Sequence, residues 1–125
     1  MRLLSLLAAA AVAVASPAAA YIAGNGLLVR AEADGSFVVL GSPGQGPAES
    51  WCAAGDYVIA SGMPTNTRIW RLSEPPRRQG ESVRFGLSPE GAASKTGLFI
   101  LGSKDASLSA IHAAQLCHRD LPVSD

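Results

Sequence analysis

The segment "AESWCAAGDYVIASG", residues 48–62, decides the fold. Pro47 precedes it and suits the first turn of a helix, where a missing N–H leaves no bond unmade. Glu49 in that turn meets the positive end of the helix dipole. Trp51, Gly55, Val58 and Gly62 recur at helical spacing with Cys52 and Ile59 alongside, which puts the bulky apolar residues on one broad face. A glycine inside a helix costs about 1 kcal/mol relative to alanine, so Gly55 predicts close packing of its turn, and a sheet is the expected neighbour. Gly62 reads as the C-terminal cap, with Pro64 just beyond. Cys52 then sits in the packing face, while Asp56 faces solvent or caps a neighbouring loop.

On the N-terminal side, "LLVRAEADGSFVVLG" (27–41) places two apolar runs around Asp34-Gly35, a strong hairpin signal, and predicts strands over 26–32 and 36–41. The glycines and prolines of "GSPGQGP" break the chain before the helix. Neither this loop nor "GNG" (24–26) has the spacing of a phosphate-cradling loop, so both read as turns. On the C-terminal side, "TRIWRLS" and "ESVRFGLS" read as strands separated by "EPPRRQG". A loop centred on Arg77-Arg78 sets Trp70 opposite Phe85 and Leu72 opposite Val83, with Arg71 opposite Arg84 on the other face. "LFILG" (98–102) reads as a buried strand. "DASLSAIHAAQLCHRD" reads as an extended start running into a short helix that ends near Cys117. These elements give an α+β class: a small antiparallel sheet packed on one main helix, a short C-terminal helix and one disulfide.

The first twenty residues, "MRLLSLLAAAAVAVASPAAA", have the layout of a secretory signal peptide: Arg2, an apolar run, Pro17 and a small-residue cleavage site. The apolar run is shorter than the ~20 residues a membrane span needs. The expectation is cleavage after Ala20 and a single domain over 21–125, periplasmic or secreted, without a transmembrane segment. Of ten basic and ten acidic residues, only Arg2 lies in the leader, so the remainder is one unit negative with histidine neutral. That balance argues against a nucleic-acid binder, which normally presents a strongly basic face.

Export changes the meaning of cysteine. Cys52 and Cys117 are the two in the chain, and an even count in an oxidising compartment reads as a disulfide. A competing reading makes Cys52 a nucleophile activated by the helix N-terminus, with His112 or His118 as base. That is the Cys-then-His order of papain-like cell-wall peptidases, but the motifs such enzymes carry around both residues are not seen. A metal site built from Cys52, Cys117, His112 and His118 fails on spacing: no CxxC or HxxxH pair is present, and His112 and Cys117 fall on different sides of a helix. No metal or other cofactor is expected. GxSxG, Walker and HExxH signatures are missing as well.

Five arginines lie between positions 68 and 84: Arg68, Arg71, Arg77, Arg78 and Arg84. Guanidinium forks suit phosphate and carboxylate, so Arg71, Arg84, Arg77 and Arg78 are the candidate anion contacts. The alternative is a solvated face relieved by Glu74 and Glu81.

Trp51, Cys52, Ala53, Ala54, Gly55, Asp56 and Tyr57, followed by Cys117, resemble a group of short exported alphaproteobacterial proteins. In these, a strand pair and a Gly/Pro loop precede a W-C-A-A-G-D-Y segment and a second cysteine lies near the C-terminus. The resemblance spans most of residues 21–125. It implies a disulfide-stapled periplasmic domain and no particular activity. The expected function is a non-catalytic binding or envelope-associated module for a periplasmic protein or an anionic ligand, with a small thiol hydrolase as the alternative.

Overall fold

The structure is a computed structural model that describes residues 20–99 and 104–118. Six strands, β1 (Tyr21–Ile22), β2 (Leu28–Ala31), β3 (Phe37–Val39), β4 (Arg68–Arg71), β5 (Val83–Gly86) and β6 (Ser107–Ser109), form one sheet in the order β1-β2-β3-β5-β4-β6. Every neighbouring pair is antiparallel. Helix α1 (Pro47–Ala60) joins β3 to β4, and α2 (Ala110–Gln115) follows β6 and ends in a 3-10 turn over Leu116–His118. Since β3 and β4 both run antiparallel to β5 between them, they are parallel to each other. The chain thus makes a split β-α-β crossover with α1 lying over the sheet. The α+β class, the main helix, the short second helix and the Cys52–Cys117 disulfide are all present.

The first hairpin forms where the Asp34-Gly35 turn places it. Gly35 adopts φ +91°, and Asp34 Oδ1 accepts hydrogen bonds from Ser36 N (3.0 Å) and Ser36 Oγ (2.6 Å). Val29, Phe37, Val39, Val83, Phe85, Ile69 and Leu108 turn toward the helix side and are buried. Trp51 of α1 meets Phe85 edge-on at 4.8 Å between ring centres, and Tyr57 meets Phe37 at 4.7 Å. Phe37 and Phe85, directly paired across β3 and β5, stack at 5.9 Å. Pairs of this kind add about 0.5–1.5 kcal/mol each beyond the area they bury.

Helix α1 begins at Pro47, as the sequence predicts, and Glu49 Oε1 accepts a hydrogen bond from Gly46 N (3.0 Å). It ends at a Ser61 cap, with Gly62 next in line at φ +88°, the left-handed conformation that favours glycine after a helix. Asp56 caps a neighbouring loop: its Oδ2 accepts from Tyr21 O–H (3.0 Å) and Gly24 N (2.7 Å).

Gly55 corrects the sequence reading. The surface pressed against it is α2 rather than the sheet: a Cβ there would lie 2.5 Å from Ala114 N, 2.7 Å from Ala110 O and 2.8 Å from the Ala113 Cβ. One side of α1 therefore meets the sheet and another meets α2, and Cys52 is bonded to Cys117 just past α2, with Cα atoms 4.8 Å apart. Two further corrections concern strands. Leu98 and Phe99 of the expected "LFILG" strand lie in irregular chain, with Phe99 97% exposed, and residues 100–102 fall outside the described set. The strand bordering β4 is instead β6, which "SLSAI" already suggested as an extended start.

The other correction is register. β4 and β5 pair Trp70 with Gly86 and Arg71 with Phe85, one residue away from the expected match. A one-residue slip moves every side chain to the opposite face. Trp70 is therefore half-buried on the open face, and Arg71 points to the core side. Arg84 is paired with Val38 of β3 and does not oppose Arg71.

Candidate functional site

Arg71, at the end of β4, is 1% exposed. Its Nε donates to Ser73 O (2.7 Å) and its Nη1 to Thr96 O (3.2 Å), a carbonyl that also accepts from the Trp51 indole N–H (3.0 Å). The chain can pass this close because position 97 is glycine: Gly97 has φ +84°, and a Cβ there would lie 2.6 Å from Arg71 Nη1. Among the described residues, Nη2 has no hydrogen-bond partner, and no salt bridge reaches Arg71. Burial holds the guanidinium pKa below its ordinary value; the Glu74 charge opposes that shift and the Arg77 charge adds to it. Glu74 does not bond to Arg71, because its carboxylate accepts from Ser94 N and Ser94 Oγ (both 2.8 Å). The arginine stays protonated at any physiological pH.

Arg71 lines a cavity of about 370 Å³ beside the first turn of α1. Gln45, Pro47 and Ser50 form the helix side, Pro75, Pro76 and Arg77 come from the β4–β5 loop, and Val83, Lys95 and Gly97 close the rest. Gln45 is almost as deeply buried as Arg71, at 9% exposure. Its Nε2 donates to Ser50 Oγ (2.7 Å), whose own hydroxyl turns to Gly46 O (3.4 Å), and Gln45 Oε1 has no partner among the described residues. Among the described residues, three cationic side chains and no carboxylate line the cavity. Its lining residues thus include one buried donor carrying charge and one buried acceptor, neither with a partner among the described residues, beside proline and valine. Lone buried polar atoms of this kind are uncommon in folded proteins.

The other arginines are placed differently from Arg71. Arg77 ties two loops together, donating from Nη2 to Gln45 O (2.7 Å) and from Nη1 to Glu81 O (2.8 Å) and Arg78 O (3.3 Å). Arg78 is exposed, and its backbone N–H donates to Glu81 Oε1 (3.1 Å). Arg84 and Arg68 lie on the open face of the sheet in two matching arrangements. Arg84 Nη1 donates to Ser36 Oγ (3.2 Å), which donates to Asp34. Arg68 Nη2 donates to Ser107 Oγ (2.7 Å), which donates to Asp105 Oδ1 (2.7 Å). Arg84 also lies 3.8 Å from Glu32.

Of the four candidate anion contacts, then, Arg71 and Arg77 share the cavity, Arg84 is on the opposite face, and Arg78 lies outside it. Sequence reasoning missed Gln45, which lies in the "GSPGQGP" break, and also Lys95 and Gly97, which lie just ahead of the expected 98–102 strand. The available signal was alternation: Ile69 and Arg71 share a face, so an inward Ile69 carries Arg71 inward too. The sulfurs of Cys52 and Cys117 are bonded to each other, and Cys52 is 1% exposed. His112 and His118 are exposed, and His112 N–H donates to Ser109 Oγ at the start of α2 (3.2 Å).

Comparison with protein-family models, with curated proteins and with solved structures finds no match to this chain.

Proposed function

We propose that this protein is an exported, periplasmic or secreted, non-catalytic binding module, and that its Arg71-lined cavity takes up an anionic ligand. The observation that carries this reading is the Arg71 guanidinium: 99% buried, facing a cavity, with Nη2 unpartnered among the described residues. An ion held away from water without a counter-charge carries an effective penalty of several kcal/mol. An anion entering the cavity relieves that penalty and makes a charge-assisted hydrogen bond worth ~1.5–3 kcal/mol. The nearby Arg77 and Lys95 charges favour the same sign of ligand. The disulfide supports export, since such bonds persist in oxidising compartments.

The test is calorimetric titration of the oxidised protein with succinate and with inorganic phosphate at low and high salt. Binding should weaken with salt, vanish in Arg71→Met and persist in Arg84→Ala, which alters only the far face of the sheet. A folded Arg71→Met protein that binds as well as the original sinks the proposal.

A further inference from the structure

The cavity offers more than a charge. Gln45 Oε1 is a buried acceptor that needs a donor, and Arg71 Nη2 is a buried donor that needs an acceptor. The amide orientation follows from its surroundings: Ser50 turns its hydroxyl proton toward Gly46 O and accepts from Gln45 Nε2, which leaves Oε1 as the open end. A ligand satisfying both groups carries an anionic oxygen and a hydrogen-bond donor in one molecule. That donor is uncharged, because Arg71, Arg77 and Lys95 line the cavity and, among the described residues, no carboxylate is there to hold an ammonium. The walls also discriminate among anions. Pro47, Pro75 and Pro76 have no backbone N–H to give, and Arg77 already serves three carbonyls. Apart from the exposed Lys95 ammonium, these walls have few donors to meet a phosphate's acceptor oxygens, and a carboxylate needs fewer. The carbon skeleton of an organic acid packs on the proline rings and Val83, and about 370 Å³ lies in the range of small-molecule sites.

We infer that the ligand of this cavity is a small carboxylic acid bearing an uncharged hydrogen-bond donor, such as a hydroxy acid or an N-acyl amino acid, with its carboxylate on Arg71 Nη2 and its donor on Gln45 Oε1. This rests on the reading of the cavity as an anion site. A terminal carboxylate preceded by an amide N–H has the same chemistry, so the C-terminus of a peptide belongs to this class.

The experiment compares matched pairs on the oxidised protein. N-acetylglycine and levulinate differ only in an N–H replaced by a methylene; lactate and propionate differ only in a hydroxyl. The member with the donor should bind more tightly by tenfold or more in at least one pair, about 1.4 kcal/mol, and more tightly than inorganic phosphate. In Gln45→Met the preference should disappear while levulinate or propionate keeps its affinity. The Gln45 side-chain amide signals should shift when N-acetylglycine is added to the unaltered protein, a readout independent of whether the variant folds. Equal binding within both pairs, with loss of all binding in Arg71→Met, overturns the donor inference and leaves the anion site standing. Phosphate binding above every carboxylate overturns the carboxylate class. No binding of any of these anions overturns both readings.

Discussion

Replacing Gly55 by alanine tests the way the two helices meet. In an unencumbered helix the change is favourable by about 1 kcal/mol, because alanine loses less backbone freedom on folding. Here the new methyl would sit 2.5 Å from Ala114 N and 2.7 Å from Ala110 O, both backbone atoms that cannot rotate aside. Normal contact requires α2 to retreat by roughly 1 Å, given carbon contact distances near 3.5–4.0 Å. Yet α2 is held from both ends: Ala110 N donates to Thr67 O (2.8 Å), Ile111 N to Thr65 O (2.9 Å), and Cys117 is bonded to α1. Overpacking of a constrained site costs about 1–3 kcal/mol, occasionally more, and the upper end applies where backbone blocks the way. Setting the helix-propensity gain against it leaves a net loss of about 2 kcal/mol, or a Tm lowered by roughly 10 °C for a domain of this size. Urea unfolding of both oxidised proteins, monitored by tryptophan fluorescence, should show a lower midpoint with an unchanged slope. A variant as stable as the original, or more so, would refute the helix contact.

Three further outcomes are expected. Gly97→Ala combines a positive φ with a Cβ 2.6 Å from Arg71 Nη1, and should lower stability by about 1–3 kcal/mol in the same unfolding assay; no loss would mean that Arg71 does not pack on that turn. Removing the disulfide by Cys52→Ala with Cys117→Ala should lower stability by about 4 kcal/mol, from the loop it closes, and a midpoint that hardly moves would contradict the bridge. The Asp34 and Asp105 carboxyls are held below their ordinary pKa, chiefly by hydrogen bonds from the Ser36 and Ser107 side chains. Each therefore binds protons less readily folded than unfolded, so its stabilisation is complete above the unfolded value and is lost as pH falls through the lowered one. Carboxyl-carbon NMR titration should place both midpoints below ordinary aspartate, and Asp105→Asn should flatten part of the acid limb of stability.

The sequence is most readable where local chemistry and tertiary packing agree. Pro47, Gly62 and the Asp34-Gly35 turn each fix their element by backbone preference, and each sits where that preference puts it. The β4–β5 register fails because apolar alternation was the only guide across a long loop. Trp70 and Leu72 look like the inward pair, but Ile69 and Arg71 occupy that side. Past the ladder, Leu72 N and Ser73 N both donate to Arg84 O (2.8 and 3.4 Å), while Arg84 N donates to the Ser73 hydroxyl (2.8 Å). Two residues there face one, an irregularity that no turn motif announces. A buried arginine runs against the usual preference of charge for water, so the pattern that locates a core gives no hint of it. The missed register and the candidate site are thus the same residue. β1, only two residues long, is too short to leave a periodic signal.

The residues from Lys104 to His118 supply an edge strand, the helix against which Gly55 is shaped, and the partner of Cys52. The residues before them depend on this stretch: a molecule cut short ahead of Lys104 has a helix with an open flank and a sulfur without its partner. This stretch is therefore the latch of the domain. A reactive Cys52 marks a molecule whose latch has not closed, and a thiol reagent can count such molecules in a population.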